Sequence, residues 1–494
     1  MSFYDAIRVG ASGAAADYEV GRSIRLNRND SSYFEIARSS DGNRKKWTFS
    51  TWLKVANHGN DLRGMFAYNG TGNNRENFTF EADGKIAYQL RVGGSNKASV
   101  TTTKVFRDPT AWYHIVFIWD SDNGTSADRA IIYVNGVRQE VTTYITPASG
   151  AETYINSTTT HYINNDAHWG AGDYSYAETY FIDGQAYDPT YFAETNSTTG
   201  QWVPKEYTSG FSGNSFYCNY SDNSGNTSTT IGKDSSGLGN NITPFNVSVS
   251  AGVGNDSLED TPTNNFPTIN PLAGYSTNFV SASNGNLDFS MANNHWAIST
   301  FTIPASGKWY FECVFTDVQS GDVSVFNPNM INDDSNSFDG RWNGISFSAG
   351  QIRVDNSDVQ TGLTTLANNT IYGILIDRDA GTVSFSIAGS VEGSAVNISS
   401  MVDSSTLAIV NRRQSSSGSN PIGSQNYGQR PFSHLPAGYK ALSSANLPDP
   451  TILLPNQHFN TLLYSGDGNA TKSITGVGFK PDWLWLKGRN TNYS

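Results

Sequence analysis

The sequence predicts an all-β protein of two successive antiparallel β-sandwiches, joined by an irregular connector and followed by the start of a third β module. Three observations carry that expectation. β-Branched and aromatic residues alternate with polar ones over short runs, and Asn-Gly and Asp-Gly pairs punctuate the runs. Charged residues make up only 15 %, against 13 % aromatics and 47 glycines, so the Glu, Lys and Ala that long helices need are scarce. The 494 residues exceed one ordinary domain, and two strand-rich blocks flank a stretch poor in long apolar side chains.

Residues 1–20 are small and weakly patterned, and "GASGAAAD" has the composition of a flexible hinge. The first block spans 21–195. "KWTFSTWLKV" (46–55) sets Trp47, Phe49, Leu53 and Val55 among polar neighbours. "ENFTFEADGKIAYQLRV" (76–92) reads as two strands around an Asp-Gly turn. "WYHIVFIWD" (112–120) is apolar on both faces and so predicts a central strand between two layers. "RAIIYVNGVRQEV" (129–141) and "ETYFIDGQAYD" (178–188) read as hairpins on Asn135-Gly136 and Asp183-Gly184. A short helix fits "DPTYFAE" (188–194), capped by Asp188 with Pro189 in the first helical position.

Residues 196–275 are rich in turn formers. An eighty-residue free loop is improbable in a compact protein, so an ordered connector is expected, laid across the first block and held by "WVPKEY" and "FYCNY". The second block, 276–445, offers "GNLDFS" (285–290), "GKWYFECVF" (307–315), "WNGISFS" (342–348), "QIRVD" (351–355), "IYGILID" (371–377) and "GTVSFSIAG" (381–389) as strands. A Pro-rich linker then opens the last segment, 446–494. There Phe479, Trp483, Leu484, Trp485 and Leu486 alternate with polar residues as a buried strand would. This predicts that the chain continues past Ser494, or that both tryptophans are buried against a neighbouring chain.

The net charge is −12 and no basic run exceeds "RKK" at 44–46, which argues against a nucleic-acid partner. No apolar run approaches the length of a membrane span, so no membrane insertion is expected. The opening residues lack the basic and apolar regions of a secretory signal. Cys218 and Cys313 fall in different modules and are expected to be buried and unpaired.

"WTFSTWLK", "AWYHIVFIWD", "IIYVNG" and "AETYFIDGQAYDPTYFAE", in that order, resemble the laminin-G-like, or concanavalin A-like, lectin sandwich. "SGKWYFECVF" and "YGILIDRDAGTVSFSIAG" resemble a SPRY domain, although "VSVFNPNM" stands where that family carries an "IGIA"-like strand. "FIDGQAYDPTYFAETNSTTGQWVPKEY", "FYCNYSDNSGNTSTTIGKDSSGLGNNITP" and "NYGQRPFSHLPAGYKALSSANLPDPTILLPNQHFNTLLYSGDG" are similar to tail fibre proteins from phages of marine bacteria. The resemblance covers nearly the whole chain. It implies a virion protein made in the host bacterial cytoplasm and assembled as a homotrimer. Phe3, Tyr4, Ile7 and Arg8 would anchor it to tail adaptor or nozzle proteins, and a host-surface glycan or other receptor would be its distal partner. Host choice is expected mostly beyond residue 200.

The fold also hosts glucanases, which need two carboxylates about 5 to 10 Å apart. Glu76 with Glu81, and Glu178 with Asp183, are the nearest pairs, and their odd spacing sends the partners to opposite faces of a strand. No catalytic residue and no cofactor is therefore expected. "DSDNGTSAD" (120–128) is rich in the oxygen ligands calcium prefers, but the favoured reading is a solvated loop with no metal. His114 is expected to pack within its strand. "HWGAGDYSY" (168–176) offers Trp169, Tyr174 and Tyr176 as glycan-stacking rings, with packing inside the module or against a sister chain as the competing reading.

Overall fold

The computed structural model describes residues 18–57, 63–68, 70, 73–275, 278–292, 295–329, 342–413, 419–448, 451–469 and 471–488. The expected anchor residues Phe3, Tyr4, Ile7 and Arg8 lie outside that set. Among the described residues there is no α-helix, and none is long and apolar enough to cross a membrane.

The first sandwich is built from β1 (Ser23–Leu26), β2 (Tyr33–Ile36), β3 (Lys46–Asn57), β4 (Arg63–Tyr68), β5 (Arg75–Phe80), β6 (Ile86–Val92), β7 (Ser95–Thr102), β8 (Trp112–Asp120), β9 (Ala130–Val134), β10 (Val137–Arg138), β11 (Val141–Ile145), β12 (His161–Ile163) and β13 (Asp173–Asp183). The stretch that follows supplies β14 (Ala193–Thr195), β15 (Trp202–Pro204), β16 (Phe216–Cys218), β17 (Thr243–Phe245) and β18 (Ser257–Leu258). One sheet runs β10-β9-β8-β3-β13-β1-β18 with β16 also on β13, and the facing sheet runs β11-β7-β6-β5-β4-β12-β2-β17. β14 and β15 pair separately.

Alternation decides which side chains fill the gap between the sheets. Phe49, Leu53, Ile115, Phe117, Trp119, Tyr174, Tyr176 and Phe181 meet Phe34, Ile36, Phe66, Phe78, Tyr88 and Leu90 in one core. Each such side chain stabilises the fold by about 1.5–3 kcal/mol. β8 is buried along its whole length, as its two-sided apolarity predicts. Its outward residues Val116 and Ile118 are covered by Phe192 and Tyr207 from the chain beyond β13. The turn at Asn135-Gly136 has positive φ at both residues (49° and 75°), as a two-residue hairpin requires.

Three expectations change. β13 begins at Asp173, not 178, and Asp183-Gly184 forms no hairpin. Gly184 is held instead by the Lys46 carbonyl, and the chain turns over the outer face of the sheet, where the Tyr187 amide donates to Thr48 Oγ1. "DPTYFAE" forms only a 3₁₀ turn over Pro189–Tyr191, with Asp188 capping the Thr190 amide. The stretch 196–275 is ordered, but it is part of the sandwich: β17 pairs with β2, β18 with β1 and β16 with β13.

The second sandwich packs a seven-stranded sheet on a six-stranded one. The first has the spatial order Ser281–Ser283, Asp288–Ser290, Ile422–Asn426, Lys308–Asp317, Ile371–Asp377, Thr382–Ile387 and Ser390–Asn397. The second runs Trp296–Ile303, Leu407–Arg412, Val323–Phe326, Gly344–Ser348, Gln351–Val354 and Ser357–Gln360. "VSVF" is thus a fully buried strand inside its sheet. The two sandwiches touch: Asn286 Nδ2 donates to the Ala56 carbonyl at 2.6 Å, the Glu259 amide to the Gln429 carbonyl at 2.9 Å, and the Asn265 amide to Ser444 Oγ at 2.8 Å.

The closing segment departs from its expected strand. Among the described residues beyond 457 no strand forms, and Trp483 and Trp485 are 70 % and 71 % exposed, with ring centroids 6.4 Å apart. Alternation alone does not make a strand there, where no sheet edge among the described residues pairs with it to accept its backbone hydrogen bonds.

Candidate functional site

Each sheet of the first sandwich has one face toward the core, and the two outer faces differ. That of the β3–β8–β13 sheet is sealed by the returning chain. Glu178, at a bulge with φ 50°, points outward into that seal and accepts hydrogen bonds from the hydroxyls of Tyr18, Tyr180 and Tyr217 at 2.8–3.0 Å. Trp52 and Trp202 both stack on His114, whose Nδ1 accepts from Trp202 Nε1 at 3.1 Å while Nε2 meets Ser50 Oγ at 2.9 Å. Burial pushes the His114 pKa down to about 3, so the ring is neutral packing within its strand.

The outer face of the other sheet is only partly covered. Register places Tyr33 opposite Phe245, with rings stacked at 4.8 Å, and Tyr162 meets Tyr33 edge-on at 5.3 Å. Glu35 lies on the same face opposite Tyr162. Burial, and then the Glu35 carboxylate, raise both phenol pKa values, which keeps the hydroxyls protonated as donors. Further along, Asn77 faces Gln89 and Arg75 faces Arg91. Arg75 Nε donates to Gln89 Oε1 at 2.9 Å.

Between these two groups the 164–172 loop crosses the sheet. Asp166 holds it, accepting from Asn77 Nδ2 at 2.8 Å and from the His168 and Trp169 amides at 2.6 and 3.1 Å. Gly64 lets the loop lie close, since a Cβ there would stand 2.7 Å from the Asn165 carbonyl oxygen. Trp169 is half-buried, with the Arg75 guanidinium 5.9 Å from its ring centroid and Arg63 donating to its carbonyl.

Of the three rings singled out as glycan contacts, only Trp169 is on a surface. Tyr174 and Tyr176 are 2 % and 0 % exposed, because β13 starts before them and register turns both inward. Nothing in the sequence marks Tyr33, Tyr162, Phe245, Arg75 or Gln89 as surface groups. Their strands are legible, but nothing within a strand says which of its faces stays uncovered.

The candidate carboxylate pairs are separated as the spacing requires. Glu76 points into the core, where Tyr88 Oη donates at 2.6 Å and the Tyr154 and Ile155 amides at 2.6 and 2.8 Å, while Glu81 lies partly exposed past the end of β5. Asp183 binds Asn156 and the Asn43 and Asn214 amides, on the opposite side of β13 from Glu178. Burial outweighs the three donors at Glu76 and raises its pKa to about 7. Such a value suits a general acid, but this group is sealed from any substrate.

A folded pKa above the unfolded carboxylate value means the protonated form is favoured, so stability is full below about pH 4.5 and falls as pH rises through 7. Glu76→Gln can keep both amide contacts through its oxygen and donate to Tyr88. It is expected to stabilise the protein at pH 8 by up to about 3 kcal/mol and to leave it unchanged at pH 4.5. Urea melts at the two pH values check this.

In the 120–128 loop, Asp120 and Asp128 pair with Lys46 and Arg138 at 3.3 and 2.7 Å. Among the described residues no group of three or more His, Cys, Asp or Glu side chains is placed to hold a metal ion. Cys218 and Cys313 are buried free thiols, one in each sandwich core.

Residues 28–177 match the family model of the concanavalin A-like lectin/glucanases superfamily, and residues 454–494 match a domain of unknown function, DUF7483. No curated protein matches. Among solved structures, mouse laminin alpha1 chain domains LG4-5 are 9 % identical, with 84 % of this chain and 89 % of that chain covered and a TM-score of 0.29. The SPRY domain of human HERC1 is 14 % identical, covering 32 % of this chain and 96 % of that one at a TM-score of 0.26. A heptameric SAP-like pentraxin from Limulus polyphemus is 15 % identical, covering 34 % and 79 % at 0.26.

Proposed function

We propose that this chain is a structural and adhesive subunit of a phage tail fibre, tied to the tail by its N-terminal segment and carrying β-sandwich modules toward the host surface. The observation that carries the adhesive part is the open face of the first sandwich. Aromatic rings, the Gln89 amide and guanidinium groups are partly exposed there, while the matching face of the other sheet is sealed. Aromatic faces stack on sugar rings, and planar amide and guanidinium groups bond to their hydroxyl and acidic substituents. The resemblance of nearly the whole chain to tail fibres supports the virion location.

The fibre is a homotrimer in this reading. Three copies of a weak sugar contact gain avidity that one lacks, and a cyclic interface suits a fibre. The face binds surface polysaccharide without cutting it, and host choice lies further along the fibre. Incubating purified protein with host polysaccharide tests the whole reading. Retention on the polysaccharide with chain length unchanged, and a trimer mass in native mass spectrometry, are expected. Shortened chains would replace this reading by a glycan-degrading one, and a monomer mass for the virion-derived protein would remove the trimer.

A further inference from the structure

We propose that the open face takes an acidic polysaccharide, its carboxylate or sulfate groups held by Arg75 and Arg91 and a sugar ring seated against the exposed part of Trp169. This rests on the reading of that face as the adhesive surface, and adds the chemical class of its ligand.

Arg75 on β5 and Arg91 on β6 are directly opposite partners on the outer face. Like charges in that position repel, with side-chain stems only about 5 Å apart. Five arginines are set against acids: Arg25 has Asp256, Arg44 has Glu152, Arg138 has Asp128, Arg353 has Asp358 and Arg412 has Asp322. Others, such as Arg107 and Arg129, are bonded to backbone carbonyls, but none of these faces a second arginine across a strand pair. Among the described residues neither Arg75 nor Arg91 forms an ion pair.

The carboxylates on this face do not fill the gap. Asp166 is occupied by Asn77 and two amides of its own loop, and Glu35 lies across the sheet between Tyr33 and Tyr162. Arg75 is steadied by Gln89 and the Trp169 ring, and Arg91 Nε is shut from solvent with no acceptor. In a chain of net charge −12, two adjacent unpaired guanidinium groups make a local site for an oxyanion.

The neighbouring ring narrows the class further. An indole beside paired guanidinium groups suits a sugar that carries an acid, because the ring stacks while the acid is bonded. The aromatic group at Phe245, Tyr33 and Tyr162 continues the face. β2 lies four strand steps from β6, or about 19 Å, so the surface suits a polymer better than a single sugar.

Binding of the full chain to four immobilised polymers tests this: polygalacturonate for carboxylate, a sulfated galactan for sulfate, neutral dextran, and polyglutamate as an acid without sugar. One or both acidic polysaccharides should bind at least about tenfold more tightly than dextran and polyglutamate, and more weakly as salt rises. Arg91→Gln should remove about tenfold or more of that affinity while its melting temperature stays equal or rises, since a like-charge contact is relieved. Trp169→Ala should weaken the acidic polysaccharides and leave residual polyglutamate binding unchanged. Which acidic polymer binds distinguishes carboxylate from sulfate. Dextran bound as tightly as the acidic sugars, with dependence on Trp169 and not on Arg91, would overturn the inference and leave the adhesive reading standing. Polyglutamate bound equally well would also overturn the inference. No binding to any polymer would overturn both.

Discussion

Lys54→Met is expected to destabilise the protein by about 3–5 kcal/mol, among the largest effects of any single polar substitution. Lys54 Nζ meets Asp260 Oδ2 at 2.7 Å, Asn265 Oδ1 at 2.8 Å and the Phe266 carbonyl at 2.9 Å, and both charged side chains are 4 % exposed. Asp260 also accepts from Trp112 Nε1 at 3.1 Å. Removing the ammonium leaves a buried carboxylate facing neutral donors only, which is the costly way to break such a pair. The site sits where the sandwiches meet, since Asn265 is bonded through its backbone to Ser444 in both directions at 2.8 Å. Calorimetry should therefore show a lower melting temperature together with looser coupling of the two modules. Adding Asp260→Asn should recover part of the loss. A double variant no better than the single one would show that the geometry of the site, and not its unpaired charge, sets the cost.

Arg412→Met should cost a similar amount, but in the second sandwich. The guanidinium lies 3.5 Å over the Trp342 ring and its Nε donates to Asp322 Oδ2 at 2.5 Å, with Asp322 fully buried. Methionine fills part of the volume but takes the Arg412 guanidinium away from the buried Asp322 carboxylate, so about 3–5 kcal/mol is expected to be lost. Hydrogen exchange should quicken across Val323–Phe326 and Leu407–Arg412, the paired strands that frame the site, before it quickens in the first sandwich. Equal quickening in both sandwiches would mean that they unfold as one unit.

How far the sequence was legible follows from what each element needed. β3 and β8 could be read because long apolar runs between turn residues have few other homes. The start of β13 could not: "DYSYAE" alternates tyrosine with polar residues, which suits a rim loop as well as a strand with rings turned inward. The bulge at Glu178 then breaks the period of two that would have decided it. The strands of 196–275 are two or three residues long, too short for periodicity, and β16, β17 and β18 exist because strands of the first sandwich lie beside them. The open face was illegible for a related reason. Tyr33, Arg75 and Arg91 alternate as any half-buried strand does, and nothing in those strands says that residues 184–236 will cross the other sheet and not theirs. In the closing segment the tryptophans spelled a strand, and among the described residues there no strand forms.

The strands that complete the first sandwich come late in the chain. Ser23 pairs with Leu258 and Tyr33 with Phe245, so both sheets begin with residues whose partners lie more than two hundred positions downstream. At 5–20 residues per second, a ribosome needs roughly 10–50 s after releasing β1 before β18 follows. During that interval β1 and β2 have backbone groups with nothing to bond on one side, the kind of edge that recruits foreign strands. The nascent chain thus passes through a vulnerable window that ends only when residue 258 emerges. Its yield in a cell depends on chaperone cover during that wait as well as on the stability of the finished fold.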